Sequence, residues 1–328
     1  MPENIYDVIR AFNRSLDARE KEQWVLLARR WAKGRESLAL YIDRLADVIA
    51  KRRADGDAIL PEVIMQLSSW RDLERQLAVE AADFEKFAAA SIRAEQMEYY
   101  DMGTASAQAA LRSVLGEGYS FGRFGVRGAV NMAGITADGS PLFDVLRRRA
   151  IAPDMVGGLV DALNESILLG YNPRKIAEVM ADSLTAGLDK ALVIARTEQL
   201  RAYRTATMTQ YQQSGVVVSY QRHAAPSERT CFECIALDGK TYKTDVDFAT
   251  HPQCRCFMTP ILAGDNPDAA LGRKWFENQS ESAQRDILGG ERYDLFKSGV
   301  PLESMVKVKD DPTWGNTLVP VPLAELAK

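Results

Sequence analysis

The residues with the most evident chemistry in this sequence lie in one short stretch. All four cysteines and one of the two histidines fall between positions 231 and 256, as Cys231-x-x-Cys234 and then His251-x-x-Cys254-x-Cys256. Small structural zinc sites are built in this way, with two ligands on one tight turn and a second closely spaced set further along the chain. Thiolate and imidazole ligands suit zinc better than the hard cations do. We therefore predict a structural zinc site in this stretch, which we call the Cys/His cluster.

Five donors compete for the four positions of a tetrahedral site, so the sequence leaves open which of them bind the metal. Cys254, Cys256 or His251 would be the one left over. Two other states of the cluster also stay open. The cysteines can be reduced and packed as small hydrophobic side chains with His251 hydrogen-bonded, or they can form disulfides. Disulfides are disfavoured in a cytosolic protein, although one that ends in an extracellular particle can oxidise later.

Enzymatic interpretations of the cluster are weaker. A Cys–His nucleophile pair needs a single activated thiolate and has no use for three further cysteines. A metal-dependent nuclease needs a general-base histidine besides its metal ligands, and His223 is the only histidine outside the cluster. The stretch 237–241 is similar to a phosphate-binding loop but has Cys234 where the earlier glycine is required. We expect a protein that is not an enzyme.

Long helices dominate the first part of the chain. Apolar residues recur at helical spacing from Ser15 to about Ala50 and again from Pro61 to Tyr100, which predicts antiparallel helices in a bundle or hairpin. Glycines then crowd residues 116–139, where we expect an irregular connector and no regular helix.

The second half predicts further helices and a small sheet. The apolar pattern indicates helices at 142–149, 154–169, 173–184, 188–213, 280–288 and 292–297. Strands are expected at 216–220 and from Cys256 to Thr259, ending at Pro260, with a tight hairpin turn at Asp238-Gly239. The proline-containing end of the chain is expected to be extended, either as an arm lying on a neighbour or disordered.

Together these patterns predict an α+β fold that is predominantly α-helical, in which a small antiparallel sheet carries the Cys/His cluster. Composition along the chain predicts a linear division into four parts. These are a helical docking region, a glycine-rich connector, an α+β domain and a tail that is helical and then extended, at residues 1–115, 116–140, 141–262 and 263–328.

Charge and hydropathy exclude several classes of protein. The net charge is −4 over 328 residues, whereas proteins held on nucleic acid by bulk charge are strongly basic. The opening residues lack the pattern of a secretory signal, and no apolar run approaches the ~20 residues of a membrane helix, so we expect a soluble cytosolic product. A local basic surface for nucleic acid remains open and would involve Arg123, Arg127, Arg147, Arg148 and Arg149.

The order of motifs in the second half resembles one known family. Ala195-Arg196-Thr197-Glu198 on a helix is followed by Gly215, the Cys231-x-x-Cys234 pair, Leu237-Asp238-Gly239, and the run from His251 to Cys256 with Pro260 after it. This order is similar to the head morphogenesis domain of tailed bacteriophages, the Mu F-type family of minor head proteins. The resemblance covers roughly residues 140–262. The first hundred residues and the tail contribute no family motif.

The resemblance implies a minor structural protein of the virion, made in the host cytoplasm and located inside the head near the portal. Its implied partners are the portal protein, other procapsid components and, in addition, packaged double-stranded DNA, with no membrane and no small-molecule substrate. The resemblance brings no catalytic role. The signature positions that it marks are Arg196, Thr197, Glu198, Cys231, Cys234, His251, Cys254, Arg255 and Cys256.

Three signature charges have a physical interpretation of their own. We expect Arg196 and Glu198 to form a structural ion pair that ties the helix to the sheet, and Arg255 to point away from the cysteines towards a carboxylate or phosphate. The alternative function, from another class, is a zinc-stabilised nucleic-acid-binding module or a metal-dependent nuclease.

Overall fold

The computed structural model is an α+β fold in which helices predominate, as predicted. It describes residues 5–57, 59–116, 118, 119, 125–149, 152–225, 230–265, 271–312 and 314–326. The helices are α1 Ile5–Ala54, α2 Pro61–Met65, α3 Ser68–Leu115, α4 Gly125–Met132, α5 Leu142–Arg149, α6 Ala152–Leu168, α7 Pro173–Ser183, α8 Ala186–Gln213, α9 Phe232–Ala236, α10 Leu271–Glu277, α11 Glu281–Leu288, α12 Gly290–Lys297 and α13 Leu323–Leu326. The strands are β1 Val217–His223, β2 Thr241–Lys243, β3 Phe257–Leu262, β4 Val306–Asp311 and β5 Gly315–Pro320, and a 3-10 turn covers Leu302–Met305.

The chain divides into two compact units that each combine segments distant in sequence. Unit 1 contains Met1–Asp17, Ala94–Gly139 and Arg196–Lys328, and unit 2 contains Ala18–Arg93 and Ser140–Ala195. The predicted division, in contrast, followed the chain linearly. No helix in the described part of the chain is long and apolar enough to cross a membrane.

Unit 2 is helical, and within it α1 and α3 run antiparallel, as predicted. Ser37 Oγ accepts a hydrogen bond from Gln76 at 3.2 Å, and the rings of Trp31 and Phe84 meet edge to face at 4.7 Å. Later residues of α1 therefore lie beside earlier residues of α3. The helix predicted from Pro61 is interrupted at residues 66–67, so that a short α2 precedes α3.

Unit 1 contains the sheet. Its strand order is β2-β1-β3 with antiparallel pairing, and Tyr220 of β1 lies between Tyr242 of β2 and Pro260 of β3. The predicted end of β3 at Pro260 is wrong, because the strand continues to Leu262. An edge strand tolerates a proline that cannot donate to the ladder, and β3 is an edge of this sheet. The strand also begins later than predicted, so Arg255 precedes it.

The glycine-rich connector is not irregular throughout, and the prediction that it excludes a regular helix is wrong. Helix α4 forms within it and includes Gly128. A Cβ atom on Gly128 would lie 2.0 Å from Tyr100 Oη, so this glycine permits a close helix contact and does not break the helix. Gly134 and Gly139 have φ angles of 87° and 80° and form the turns that follow.

The predicted hairpin around Asp238-Gly239 is also wrong, although the turn itself forms. Residues 232–236 are helix α9, and the next strand, β2, pairs with β1. Gly239 adopts a φ angle of 79° and donates its N–H to Arg222 O at 2.8 Å. The chain therefore passes from a helix, through this turn, to the edge of the sheet.

The extended end of the chain folds back onto unit 1 and is neither an arm on a neighbour nor disordered in its described part. Strands β4 and β5 pair antiparallel. Leu318 N donates to Thr250 O at 2.6 Å, and Thr250 N donates to Asn316 O at 3.2 Å. Strand β5 thereby lies against the segment that immediately precedes His251.

A tight helix contact in unit 1 generates a stability prediction. A Cβ atom on Gly103 of α3 would lie 2.2 Å from the main-chain oxygen of Tyr203 in α8. We expect Gly103→Ala to lower the free energy of unfolding by about 1–3 kcal/mol, because a backbone atom cannot give way as a side chain can. The measurement is urea denaturation. Gly157→Ala is the matched control, since a Cβ there meets nothing within 4 Å and alanine favours a helix by about 1 kcal/mol. Equal effects at both positions would contradict the prediction.

Candidate metal centre

The first pair of cysteines is held at the start of a short helix. Cys231 is the residue before α9, and Cys234 lies in its first turn. The helix is anchored because Phe232, Ile235 and Ala236 pack in an apolar cluster with Phe276 and Leu302. This packing directs both sulfurs to the same place, so that Cys231 Sγ and Cys234 Sγ lie 3.0 and 3.1 Å from His251 Nε2.

The second set of donors is held by a turn between β2 and β3. Cys254 N donates to His251 O at 3.1 Å and closes the turn. Gln253 has a φ angle of 63°, which is costly for a residue other than glycine, and its N–H donates to Thr197 Oγ1 at 3.1 Å. The signature threonine on α8 therefore supports a strained turn that presents the ligands.

The orientation of His251 favours metal binding through Nε2. Its Nδ1 lies 2.8 Å from Pro252 O, to which it can only donate. In a neutral imidazole whose proton is on Nδ1, the lone pair is on Nε2, which here faces the two sulfurs. Protein ligands to metals are oriented in this way by a hydrogen bond to the other ring nitrogen.

The five donors form two overlapping groups that share Cys234. One group is Cys231, Cys234 and His251, and the other is Cys234, Cys254 and Cys256. Within each group all ligand atoms lie within 4.8 Å of one another. The Cys234 and Cys254 sulfurs are 3.6 Å apart, and ligands of a tetrahedral zinc ion are separated by about 3.5–3.8 Å. These residues can hold a metal ion.

The cysteines are free thiols, and three of them, Cys234, Cys254 and Cys256, are buried. A sulfur–sulfur distance of 3.6 Å between Cys234 and Cys254 is far longer than the ~2.0 Å of a disulfide. Hydrogen bonds from the Cys234 and Cys256 thiols lower the pKa of Cys254 well below its usual range, whereas burial raises the pKa of Cys256.

Helix α8 supports the cysteines from behind. Arg204 is buried, and its Nε donates to Cys256 O at 3.1 Å while its Nη2 donates to Cys254 O. Thr197, Arg201 and Arg204 are spaced four and three residues apart, so they share one face of the helix. The same face therefore contacts the His251–Cys254 turn and the main chain of both later cysteines.

Glu198 forms an ion pair with Arg201, whereas the sequence predicted a pair with Arg196. Its carboxylate lies 2.7 Å from Arg201 Nη2, and Arg201 also donates to Ile135 O at 2.6 Å. Residues two apart on a helix lie about 200° apart around its axis, whereas residues three apart are neighbours. Burial raises the pKa of Glu198, and Arg201 opposes that shift. Arg196 is buried on the same helix.

The arginines predicted to contact nucleic acid are not brought together as one described surface. Arg123 and the side chains of Arg127 and Arg149 lie outside the described residues. Arg147 and Arg148 are exposed on α5 in unit 2, where Arg148 Nε donates to Asp144 O at 3.3 Å. Their role in binding stays a prediction.

The second histidine is part of the core. His223 is 0% exposed, its Nε2 lies 2.9 Å from Thr259 Oγ1, and its ring stacks on Phe257 at 5.2 Å. It joins β1 to β3 and is not presented to a substrate.

A cleft of about 510 Å³ opens along the outer side of α8 in unit 1. One wall is formed by side chains of α8, namely Thr197, Arg201, Arg204, Thr205 and Gln212. The other walls include residues from 244–250, residue 310 and residues 314–316. None of the cysteines lines this cleft, and neither does His251. The Cys/His cluster therefore lies behind the wall of the cleft and not within it.

Sequence reasoning missed two charged residues that organise the site. Asp238 accepts hydrogen bonds from Ala224 N at 2.7 Å and Arg273 N at 2.8 Å, which ties the turn after α9 to β1 and α10. Arg222, on β1, lies against the cysteines. Asp238 was visible as part of a signature triplet, but no pattern in the sequence singles out Arg222.

The shared position of Cys234 generates a prediction about metal content. We expect Cys234→Ser to remove the bound metal, because no other cysteine belongs to both groups of donors. Cys256→Ser is the matched control and should retain about one metal ion per chain, since Cys254 remains. Elemental analysis of the purified full-length proteins measures this and identifies the metal. Equal metal content in the two variants would contradict the prediction.

The buried carboxylate of Glu198 generates a pH prediction. Because the pKa of Glu198 is raised in the folded state, its contribution to stability is present below the unfolded value of about 4.3 and is lost as the pH rises through the folded value. Glu198→Gln should therefore gain stability relative to the unmodified protein as the pH rises from 4.5 to 7.5. Urea unfolding across this range measures the difference. A difference independent of pH would refute the prediction.

Comparison with known proteins supports the resemblance noted in the sequence. Residues 158–259 match the family model described as phage Mu protein F like protein. The matched segment contains most of α6, all of α7, α8, β1, α9 and β2, and the first half of β3, together with the entire Cys/His cluster. No curated protein and no solved structure matched the chain. Over residues 158–259 the chain is therefore similar to the phage Mu protein F-like family.

Proposed function

We propose that this protein is a minor capsid protein of a tailed bacteriophage that acts in head morphogenesis. It is made in the host cytoplasm and resides inside the head, where its partners are the portal protein and other procapsid components. The family match over residues 158–259 is the observation that carries the proposal. Within that segment, α8 contacts the turn before β3 through Thr197 and Arg204, as expected of a structural module.

The proposed metal is one structural zinc ion. Cys231, Cys234, His251 and Cys254 would hold it, since close contacts of 3.0, 3.1 and 3.6 Å link these four donors in a chain. Zinc bound in this way crosslinks two parts of a small fold. Here the two parts are the start of α9 and the turn that precedes β3. The ion would supply stability and no reaction step.

The proposal includes no catalytic turnover. His251 Nε2 faces two sulfurs, and His223 is enclosed between strands, so neither imidazole is presented as an exposed general base. The cleft along α8 has no cysteine or histidine in its wall. These placements favour an assembly role over the alternative, a metal-dependent nuclease.

The proposed function also includes contact with packaged DNA. The exposed guanidinium groups of Arg147 and Arg148 on α5 suit phosphate contacts. Docking on the portal through the N-terminal helices is proposed as well. Residues 94–115 belong to unit 1 together with the cluster. A truncation of residues 1–115 would therefore damage the metal site, and docking has to be tested in the full-length chain.

The decisive experiment places a stop codon in the gene within its phage. We expect purified wild-type virions to contain the protein by mass spectrometry and the mutant to yield few DNA-filled heads. The full-length protein supplied from a plasmid should restore heads, and Gly157→Ala should restore them equally. Co-purification of the tagged protein with the portal protein tests the partner. Normal heads without the protein would overturn the proposal.

The same purified protein tests the enzymatic alternative. Incubation with supercoiled plasmid and Mg²⁺ or Mn²⁺ should leave the plasmid intact. Reproducible nicking that is lost in His251→Ala would instead establish the nuclease.

A further inference from the structure

One buried positive charge has no place in the function proposed so far. Arg222 on β1 is 2% exposed and is among the largest fully buried side chains of the protein. A guanidinium group remains protonated under all ordinary conditions, so its charge must be balanced inside the fold. Burial of an unbalanced charge is strongly destabilising.

The neighbours of Arg222 are neutral groups and sulfurs. Its Nη1 donates to Ala249 O at 2.6 Å, and its guanidinium stacks over the ring of Phe248 at 4.4 Å. Its Nη2 lies 3.9 Å from Cys234 Sγ and 3.9 Å from Cys254 Sγ. Across the described part of the chain, no carboxylate forms a salt bridge with it. The groups around it that can carry a negative charge are the cysteine thiolates.

With a bound metal ion, the formal charges of this buried group would sum to zero. A divalent ion bound by three thiolates and one neutral imidazole leaves a formal charge of about −1 on the complex. One guanidinium then brings the buried group to neutrality. The equal distances from Nη2 to the Cys234 and Cys254 sulfurs match a charge shared by both of these ligands.

We propose that Arg222 is the internal counter-ion of a metal–thiolate complex, in which its guanidinium keeps Cys234 and Cys254 bound as thiolates and slows release of the ion. This inference rests on the metal site of the proposed function. Arg222 is a positioning residue, since it acts on the ligands and not on the metal. Mutation of a residue that contacts metal ligands in this way typically lowers metal affinity by about 10–100-fold.

Arg204 provides a matched comparison within the same site. It is also a buried arginine, and it also stacks on Phe248, at 5.6 Å. Its hydrogen bonds, however, go to the main-chain oxygens of Cys254 and Cys256 and not to sulfur. Loss of Arg204 should therefore loosen the fold, whereas loss of Arg222 should in addition act on the metal.

The experiment compares full-length Arg222→Met, Arg222→Lys and Arg285→Met with the unmodified protein. Each protein is loaded with Zn²⁺, and release of the ion to a colorimetric chelator is followed below the melting temperature of every variant. We expect Arg222→Met to release zinc at least about tenfold faster. Arg222→Lys, which keeps the charge, should stay within about threefold of the unmodified rate, as should Arg285→Met, at an exposed arginine that contacts Asp294 and Tyr293.

Substitution of zinc by cobalt gives a spectroscopic measure of how many thiolates bind the metal. The sulfur-to-cobalt absorption of the unmodified protein should correspond to three thiolates, and it should fall in Arg222→Met and persist in Arg222→Lys. If Arg222→Met does not fold, Arg222→Lys decides, because tenfold faster release with the charge retained would overturn the inference.

The remaining outcomes separate this inference from the proposed function. Metal binding by the unmodified protein with equal release rates in Arg222→Met would overturn the counter-ion role and leave the metal site intact. An unmodified protein that binds no Zn²⁺ and no Co²⁺ would overturn both.

Discussion

The rest of unit 1 depends on the gathering of polar, ionisable side chains in its interior. Thiols, an imidazole and a guanidinium are costly to bury unless each meets a partner. The fold meets this constraint by directing Cys231, Cys234 and His251 at one point and by stacking Arg222 on Phe248 beside them. Because the partners come from α9, β1 and the turn before β3, satisfying the charges fixes how these elements pack. The cluster thus acts together with the apolar packing of Phe232 and Ile235 to hold this segment in place.

Helix α8 converts this cluster into a module. Its face contacts the strained turn through Thr197 and the main chain of the cysteines through Arg204. Between these two residues on α8, Glu198 pairs with Arg201, and Arg201 joins the helix to Ile135 in the segment after α4. The family signature Arg-Thr-Glu therefore belongs to the same physical unit as the cysteines, although more than thirty residues separate them in sequence. A single helix that supports both the turn and the connector explains why these motifs occur together in order.

The printed contacts of the signature residues join elements of unit 1 to one another. No cysteine or histidine lines the cleft along α8. Helices α1 and α3 contribute residues to both units, so the regions that composition separates as docking region and family domain share covalent elements.

The sequence by itself determined the features that depend on local periodicity and rare residues. Helical spacing predicted α1 and α3, the two closely spaced Cys/His sets predicted the donors that the fold brings together, and the motif order indicated the similarity to one family. It did not reveal that Gly128 lies inside a helix, because the reason is the ring of Tyr100 from another helix. Nor did it reveal that Glu198 pairs with Arg201, that β5 lies beside Thr250, or that Arg222 faces the sulfurs. These features were decided only by the tertiary structure, since each depends on which side chains or backbone groups meet after distant segments pack, and no spacing along the chain records that.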